Sequence, residues 1–238
     1  MEKLEATRTY WLTTNDFDEG NYLKPAAVLN YFQDIASWHA ECLKAGYSHL
    51  LAANKIWILL KNKFVLYEHP DFFSRVKLST WPLTTEKIYY PRAYQMKNDD
   101  GKIVGEGMSL WAIINLNTQM VTRDQWFLGT RFKDEQPLSF QKKIASFDQE
   151  TFIDKYTVRS FDLDHYHHMN NAMYANLIHL VADRLSLLPL TNLEIHYLRQ
   201  AKINDVISLY YHEDEQNIYI TGKDDAHQII FSSLIEKT

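Results

Sequence analysis

The chain carries the same order of sequence patterns twice, and this internal repeat limits the folds that are open to it. An offset of 146 residues places Asp16 on Asp162 and Asp18 on Asp164. Each copy reads as a strand, an acidic turn, a long amphipathic helix and a series of strands. The turn sequence Asn98-Asp-Asp-Gly101 indicates a hairpin. The repeat therefore predicts an α+β fold, built twice, in which a helix packs on one face of an antiparallel sheet.

The repeat divides the 238 residues into two halves. We predict an N-terminal domain over residues 1–130, a connector over 131–150 and a C-terminal domain over 151–238. The connector is rich in charge and has little periodicity. Two copies in one chain favour an intramolecular pseudo-dimer.

Only the second copy keeps a dense polar cluster in front of its helix. Tyr22 and Lys24-Pro25 stand where the second copy has His168 and Asn170-Asn171. This contrast predicts that the second half is catalytic and that the first half has a structural role. Asp16 and Asp18 are then helix-entry residues of a site that has lost its function.

Composition and charge exclude several classes of protein. The net charge of −5 disfavours nucleic-acid binding, which depends on clustered Lys and Arg. Membrane insertion is not expected, because no apolar stretch approaches the roughly 20 residues of a membrane helix. The N-terminus has no apolar signal-peptide core. The lone Cys42 cannot form an intramolecular disulfide and is expected to be a packed thiol. We therefore expect a cytoplasmic protein.

The segment from Phe161 to Asn176 combines carboxylates, imidazoles and two adjacent Asn side chains. Asp and Asn before an amphipathic run indicate a helix start, where unpaired N–H groups suit a carboxylate or a developing oxyanion. His165, His167 and His168 with two Asp also invite a metal-site interpretation. Their spacing matches no standard zinc pattern, and alternate residues of an extended loop point apart. We predict no metal and no cofactor.

Asp162-Leu-Asp164, His168, Asn170-Asn171 and Tyr174 resemble the motif of acyl-(acyl carrier protein) thioesterases. Members of that family have two tandem hot-dog folds, each with a sheet wrapped around a long helix. The resemblance implies hydrolysis of the thioester between a fatty acyl chain and acyl carrier protein, which is then the partner. It also implies that the N-terminal half binds the acyl chain and the C-terminal half is catalytic.

Carried over by position, Asp164 and His168 match the family's catalytic Asp and His. Tyr166 stands at the position of the catalytic Asn, and Gln200 at that of the catalytic Glu. Both are departures from the family pattern, and Ala201 stands where some members have a Cys, so a Cys nucleophile is missing.

Thioester hydrolysis needs an activated water and a stabilised oxyanion. We expect Asp164 to act as the base, with His168 sharing that work or hydrogen-bonding the carbonyl, and Gln200 positioning the water. Backbone N–H groups at the helix start would bind the oxyanion, and Asn170 and Asn171 would support the helix entry. Asp162 would order the loop or contact Arg159.

Two other functions remain open from the sequence. A hot-dog hydratase or dehydratase also pairs an Asp with a His, but its usual Asn-Pro pair is missing here. A catalytically quiet acyl-binding protein is favoured by Tyr166 and Gln200. Chain-length preference, the choice between carrier-protein and CoA thioesters, and homodimer formation are left open. The cationic side chains that are candidates for docking an acidic carrier protein are Arg131, Lys133, Lys142, Lys143 and Lys202.

Overall fold

Each copy of the repeat folds as one long α-helix and a set of antiparallel strands. The structure is a computed structural model that describes residues 4–85, 87–124 and 134–237. As far as they are described, the residues form two compact units. One unit comprises Met1–Thr14 and Asn30–Ser139, and the other comprises Asn15–Leu29 and Phe140–Thr238. The domain boundaries near residues 130 and 150 stay predictions.

The described residues of the first copy form two α-helices and six strands. Its elements are β1 (Ala6–Trp11), a 3-10 turn (Thr14–Asp16), α1 (Pro25–Cys42), α2 (Tyr47–Ala52), β2 (Lys55–Leu66), β3 (Arg75–Pro82), β4 (Tyr90–Lys97), β5 (Ile103–Asn115) and β6 (Val121–Thr122). The hairpin predicted at residues 98–101 joins β4 to β5, and Gly101 has the left-handed φ of 81° that its turn requires.

The second copy repeats this order. Its elements are β7 (Thr151–Thr157), a 3-10 turn (Ser160–Asp162), α3 (Asn171–Arg184), β8 (Asn192–Tyr197), β9 (Val206–Glu213), β10 (Asn217–Lys223) and β11 (Ile229–Glu236). The strand order is β1-β3-β4-β5-β2 in the first copy and β7-β9-β10-β11-β8 in the second. The two orders correspond strand for strand, so the predicted repeat is present in the topology.

The core of the first copy lies between α1 and its sheet. Phe32 of α1 stacks on Tyr94 of β4 with ring centroids 4.2 Å apart, and both side chains are buried. Gly107 of β5 makes room for this contact, because a Cβ there would lie 2.1 Å from the Phe32 ring. The glycine therefore sets how closely α1 approaches the sheet.

The core of the second copy is built around Tyr174 of α3. Its ring makes edge contacts with Phe231 of β11 and Tyr197 of β8, each at 5.5 Å between centroids. Part of the connector also packs on this copy: Ile144 is buried against Tyr219 and Leu234.

Two short elements and one side chain differ from expectation. The helix α2 and the strand β6 were not predicted, because each is too short to show a clear period. Cys42, expected to be packed, is exposed at the last residue of α1.

Candidate active site

The polar cluster of the second copy lies on the segment that leads into α3, residues 162–170, which we call the site loop. The Asp164 carboxylate organises this loop, since its Oδ1 accepts hydrogen bonds from the N–H groups of Tyr166 (2.8 Å) and His168 (3.2 Å). The Asp164 N–H donates to the His168 carbonyl at 2.8 Å. His167 completes the turn with a left-handed φ of 62°. One carboxylate oxygen thus holds the backbone of the loop.

The first copy builds the same turn in residues 16–24, the first-copy loop. Asp18 Oδ1 accepts from the N–H groups of Gly20 and Tyr22, both at 2.9 Å, and Asn21 has a φ of 62°. The Lys24 N–H donates to the Asp16 carbonyl at 2.8 Å, as the Asn170 N–H does to Asp162 in the site loop. The two loops therefore share a backbone structure and differ in the side chains they present.

His168 presents the titratable group of the site loop. Partial burial lowers the pKa of its imidazole; the Asp164 carboxylate opposes this change, and Lys202 and His167 add to it. Neither ring nitrogen has a hydrogen-bond partner among the described residues. The lowered pKa keeps the ring neutral and able to accept a proton near neutral pH.

Asp162 anchors the beginning of the site loop. Its carboxylate is fully buried, and Oδ2 accepts from the Tyr156 hydroxyl at 2.8 Å and from the Arg159 N–H at 2.7 Å. Burial, followed by the bond to Asp162, raises the pKa of Tyr156 to about 12. Asp162 thus contacts the backbone of Arg159 and orders the beginning of the site loop.

The start of α3 follows directly. Asn170 is the N-cap residue, and its Oδ1 accepts the Ala172 N–H at 3.0 Å, while its carbonyl accepts the Met173 N–H at 2.9 Å. The Asn171 N–H makes no hydrogen bond to any described residue. The N–H group of Asn171, at the start of the helix, is therefore open to bind an oxyanion.

A second segment, residues 198–205, runs alongside the site loop. The Met169 N–H donates to the Ala201 carbonyl at 2.8 Å, and the Ala201 N–H donates to the Tyr174 hydroxyl at 3.1 Å. These bonds place Gln200, which is exposed, one residue from the loop contact. Lys202 is close enough to lower the pKa of His168, a role that its position in the sequence did not reveal.

The other histidines of the loop do not gather around a common point. His165 and His167 are exposed, and the ring of His165 lies against Tyr166 with 3.9 Å between centroids. Within residues 4–85, 87–124 and 134–237, no group of three or more His, Cys, Asp or Glu side chains has the arrangement of a metal site.

Comparisons with known proteins identify the family. The family model of the acyl-ACP thioesterase N-terminal domain matches residues 3–124. The family model of the acyl-ACP thioesterase C-terminal domain matches residues 145–233. The chain belongs to the acyl-ACP thioesterase family. No curated protein sequence is similar enough to match. The resemblance drawn from the site loop is confirmed.

Solved structures of acyl-ACP thioesterases have the same fold. An acyl-ACP thioesterase from Bacteroides thetaiotaomicron is 21% identical, with a TM-score of 0.89 over 99% of this chain and 98% of that one. A 12:0-ACP thioesterase from Umbellularia californica is 15% identical, with a TM-score of 0.78 over 100% of this chain and 99% of that one. The predicted pair of tandem hot-dog folds is confirmed.

Membership of the acyl-ACP thioesterase family gives the reaction. The protein is a thioester hydrolase that releases fatty acid from acyl-ACP, as the sequence predicted. Hydrolysis is thereby favoured over hydration and over passive acyl binding. No helix in the described part of the chain combines the length and apolar character needed to cross a membrane.

Proposed function

We propose that Asp164 and His168 activate the water that hydrolyses fatty acyl-ACP. The observation that carries this proposal is the neutral His168 imidazole, without a hydrogen-bond partner among the described residues, in a loop that Asp164 holds. From the sequence, Asp164 was the predicted base. The hydrogen bonds favour a division of labour, because Oδ1 of Asp164 is committed to two N–H groups while the imidazole is free.

In this mechanism His168 takes a proton from water as the water oxygen forms a bond to the thioester carbon. The Asp164 carboxylate stabilises the imidazolium that results. The Asn171 N–H binds the oxyanion of the tetrahedral intermediate, and Gln200 orients the water. Collapse of the intermediate breaks the carbon–sulfur bond, and the imidazolium returns its proton to the thiolate, so that fatty acid and carrier thiol are the products.

The test is thiol release from acyl-ACP by purified variants. His168→Ala is expected to lower kcat by roughly 100-fold or more, the usual contribution of a general base. Asp164→Asn keeps an oxygen that accepts the loop N–H bonds and removes the charge, so it separates chemistry from loop structure. It is expected to lower kcat by about 10-fold or more because the imidazolium loses its counter-charge.

Asp18→Asn is the matched control, since it makes the same change in the same turn of the first-copy loop. It should retain the activity of the unaltered enzyme. Equal effects of Asp164→Asn and Asp18→Asn on kcat would contradict a chemical role for Asp164. Full activity of His168→Ala would remove the base from the mechanism.

Docking of the acidic carrier protein is proposed to use Lys202, whose positive charge acts on His168. Of the other candidates, Lys142 and Lys143 are exposed on the connector, and Arg131 and Lys133 lie outside the described residues. Lys202→Glu should raise KM for acyl-ACP more than for the same acyl chain on a pantetheine thioester, whereas Lys77→Glu on β3 should raise neither. Equal changes for both substrates would exclude a contact with the carrier. We also propose a cytoplasmic location, which the sequence predicted.

A further inference from the structure

The first copy buries a cationic side chain that the proposed mechanism does not use. Arg92 of β4 is 9% exposed and lies among the inner residues of α1, β3 and β4. Burial lowers the pKa of its guanidinium, but an arginine remains charged at physiological pH. A buried charge of this kind is costly unless an opposite charge or sufficient hydrogen bonds compensate it.

The partners of Arg92 are neutral. Its Nη1 donates to His39 Nδ1 at 3.1 Å and to Thr80 Oγ1 at 3.2 Å. Because the arginine side chain has no hydrogen-bond acceptor, His39 Nδ1 must accept with a lone pair in this contact. The Thr80 hydroxyl donates its own hydrogen to the Ala93 carbonyl. Both groups accept hydrogen bonds, and neither supplies a negative charge.

No carboxylate among the described residues balances the guanidinium. Tyr94 is the sole described group whose charge would raise the pKa of Arg92, and burial raises the pKa of Tyr94 itself, which keeps the phenol neutral. The Tyr94 hydroxyl is engaged with Ser109 Oγ at 2.8 Å, and Ser109 also accepts the Trp111 indole N–H. The surrounding polar groups are thus occupied with one another.

The remaining guanidinium nitrogens are open. Nε and Nη2 of Arg92 have no hydrogen-bond partner among the described residues. Neither nitrogen is one of the described polar atoms that are both fully buried and without a hydrogen bond. Both therefore keep accessible surface next to a side chain that is otherwise enclosed. The arrangement offers two N–H directions to an acceptor that enters the first copy from outside the protein.

We propose that Arg92 is a specificity-determining residue that binds an acceptor oxygen carried by the acyl chain. The proposal rests on the proposed function and on the assignment of acyl-chain binding to the N-terminal domain. It means that the preferred substrates are acyl chains with a hydroxyl, keto or carboxylate group rather than plain saturated chains. A carboxylate completes the charge balance of Arg92 and should give the largest preference.

The experiment compares kcat/KM for carrier-bound acyl chains of one length that are unsubstituted or carry a hydroxyl, keto or terminal carboxylate group. The unaltered enzyme should prefer at least one oxygenated chain by about 10-fold or more, as expected for hydrogen bonds to a charged donor. Arg92→Met should abolish that preference. Arg75→Met, an exposed arginine of the same sheet, should leave it unchanged.

The ratio of two kcat/KM values does not depend on the fraction of folded enzyme, so partial unfolding of Arg92→Met does not obscure the result. Arg92→Lys, which keeps the charge and loses the planar fork, should retain part of the preference. A preference for unsubstituted chains in the unaltered enzyme would overturn the proposal and show that Arg92 binds solvent or a solution anion only. Loss of turnover in Asp164 and His168 variants tests the proposed function. It does not bear on the ratio of kcat/KM values that the unaltered enzyme shows for oxygenated and unsubstituted chains.

Discussion

At the scale of single residues, one carboxylate oxygen of Asp164 holds the backbone N–H groups of Tyr166 and His168. Asp164 was recognisable from its position before a helix. Its commitment of one oxygen to two N–H groups depends on the left-handed φ of His167, and the sequence did not show which residue of the loop would adopt it. Lys202 was visible only as a positive charge, because the contact between residues 198–205 and the site loop arises from tertiary structure.

The electrostatic surroundings of His168 predict a pH dependence. A base must be neutral to act, so kcat/KM should fall as the pH drops through the pKa of His168, which lies below the ordinary histidine value. Lys202→Met removes a positive charge that disfavours the imidazolium. The pKa should rise, and the acidic limb of the pH profile should move to higher pH. Lys77→Met serves as the control, and an unmoved limb in Lys202→Met would contradict the coupling.

The buried bond between Tyr156 and Asp162 predicts a difference in stability between equivalent tyrosines of the two copies. Tyr156→Phe should lower the free energy of unfolding by about 1.5–3 kcal/mol, since it removes a hydrogen bond from a buried carboxylate. Tyr10, at the corresponding position of the first copy, instead bonds the exposed Asp34 at 2.5 Å. Tyr10→Phe should cost less in urea unfolding, and a reversed order would contradict the assignment.

At the scale of elements, the long helices and most strands could be predicted from periodicity and turn residues. The hairpin indicated by Asn98–Gly101 joins β4 to β5, and the helix expected behind the polar segment is α3 at Asn171–Arg184. The short α2 could not be predicted, because six residues hardly show a helical period and its stability depends on packing, such as that of Leu50 against Tyr90 and Ile113.

The N-cap of α3 predicts a measurable contribution to helix stability. Asn170→Ala should lower the free energy of unfolding by about 1 kcal/mol, because the Ala172 N–H loses its acceptor. Asn170→Ser keeps a capping oxygen and should retain most of that stability. Urea unfolding followed by circular dichroism measures both, and equal midpoints for Ala and Ser would argue against side-chain capping.

The close approach of α1 to its sheet predicts a steric effect at Gly107. Gly107→Ala should destabilise the protein by about 1–3 kcal/mol, since the new methyl group meets the Phe32 ring. In a double-mutant cycle, Phe32→Leu should recover part of that loss. Additive effects of the two substitutions would show that the helix does not press on this position.

At the scale of the whole molecule, the repeat was the most informative prediction, although few residues match between the copies. It foresaw the matching strand orders, because topology is encoded by the sequence of patterns. It did not foresee that residues 15–29 belong to the same compact unit as the second copy. In that unit, burial lowers the pKa of His179 of α3, and the charges of Asp18 and Lys24 in the first-copy loop act on it. Contacts between copies leave no periodic trace in a sequence.

The packing of the connector predicts its resistance to proteolysis. The Gln141 N–H donates to Glu194 Oε1 at 2.9 Å, and Ile144 is buried. The Phe147 ring stacks on the His212 ring with 3.7 Å between their centroids. Ile144→Asp would bury a carboxylate and should release the connector, so that limited proteolysis cuts within residues 140–150. Lys143→Asp, at an exposed neighbouring position, should leave the digestion pattern unchanged.

The identical turns of the two loops have a consequence for how such an enzyme changes over time. In both loops the turn has an aspartate at its first position and a left-handed residue at its fourth, while the side chains at its other positions differ. Reactive groups can therefore be gained or lost by point substitution while the loop keeps its shape. The first-copy loop of this duplicated chain therefore has the backbone of the site loop without its reactive side chains. Tyr22→His is the first substitution that would introduce one.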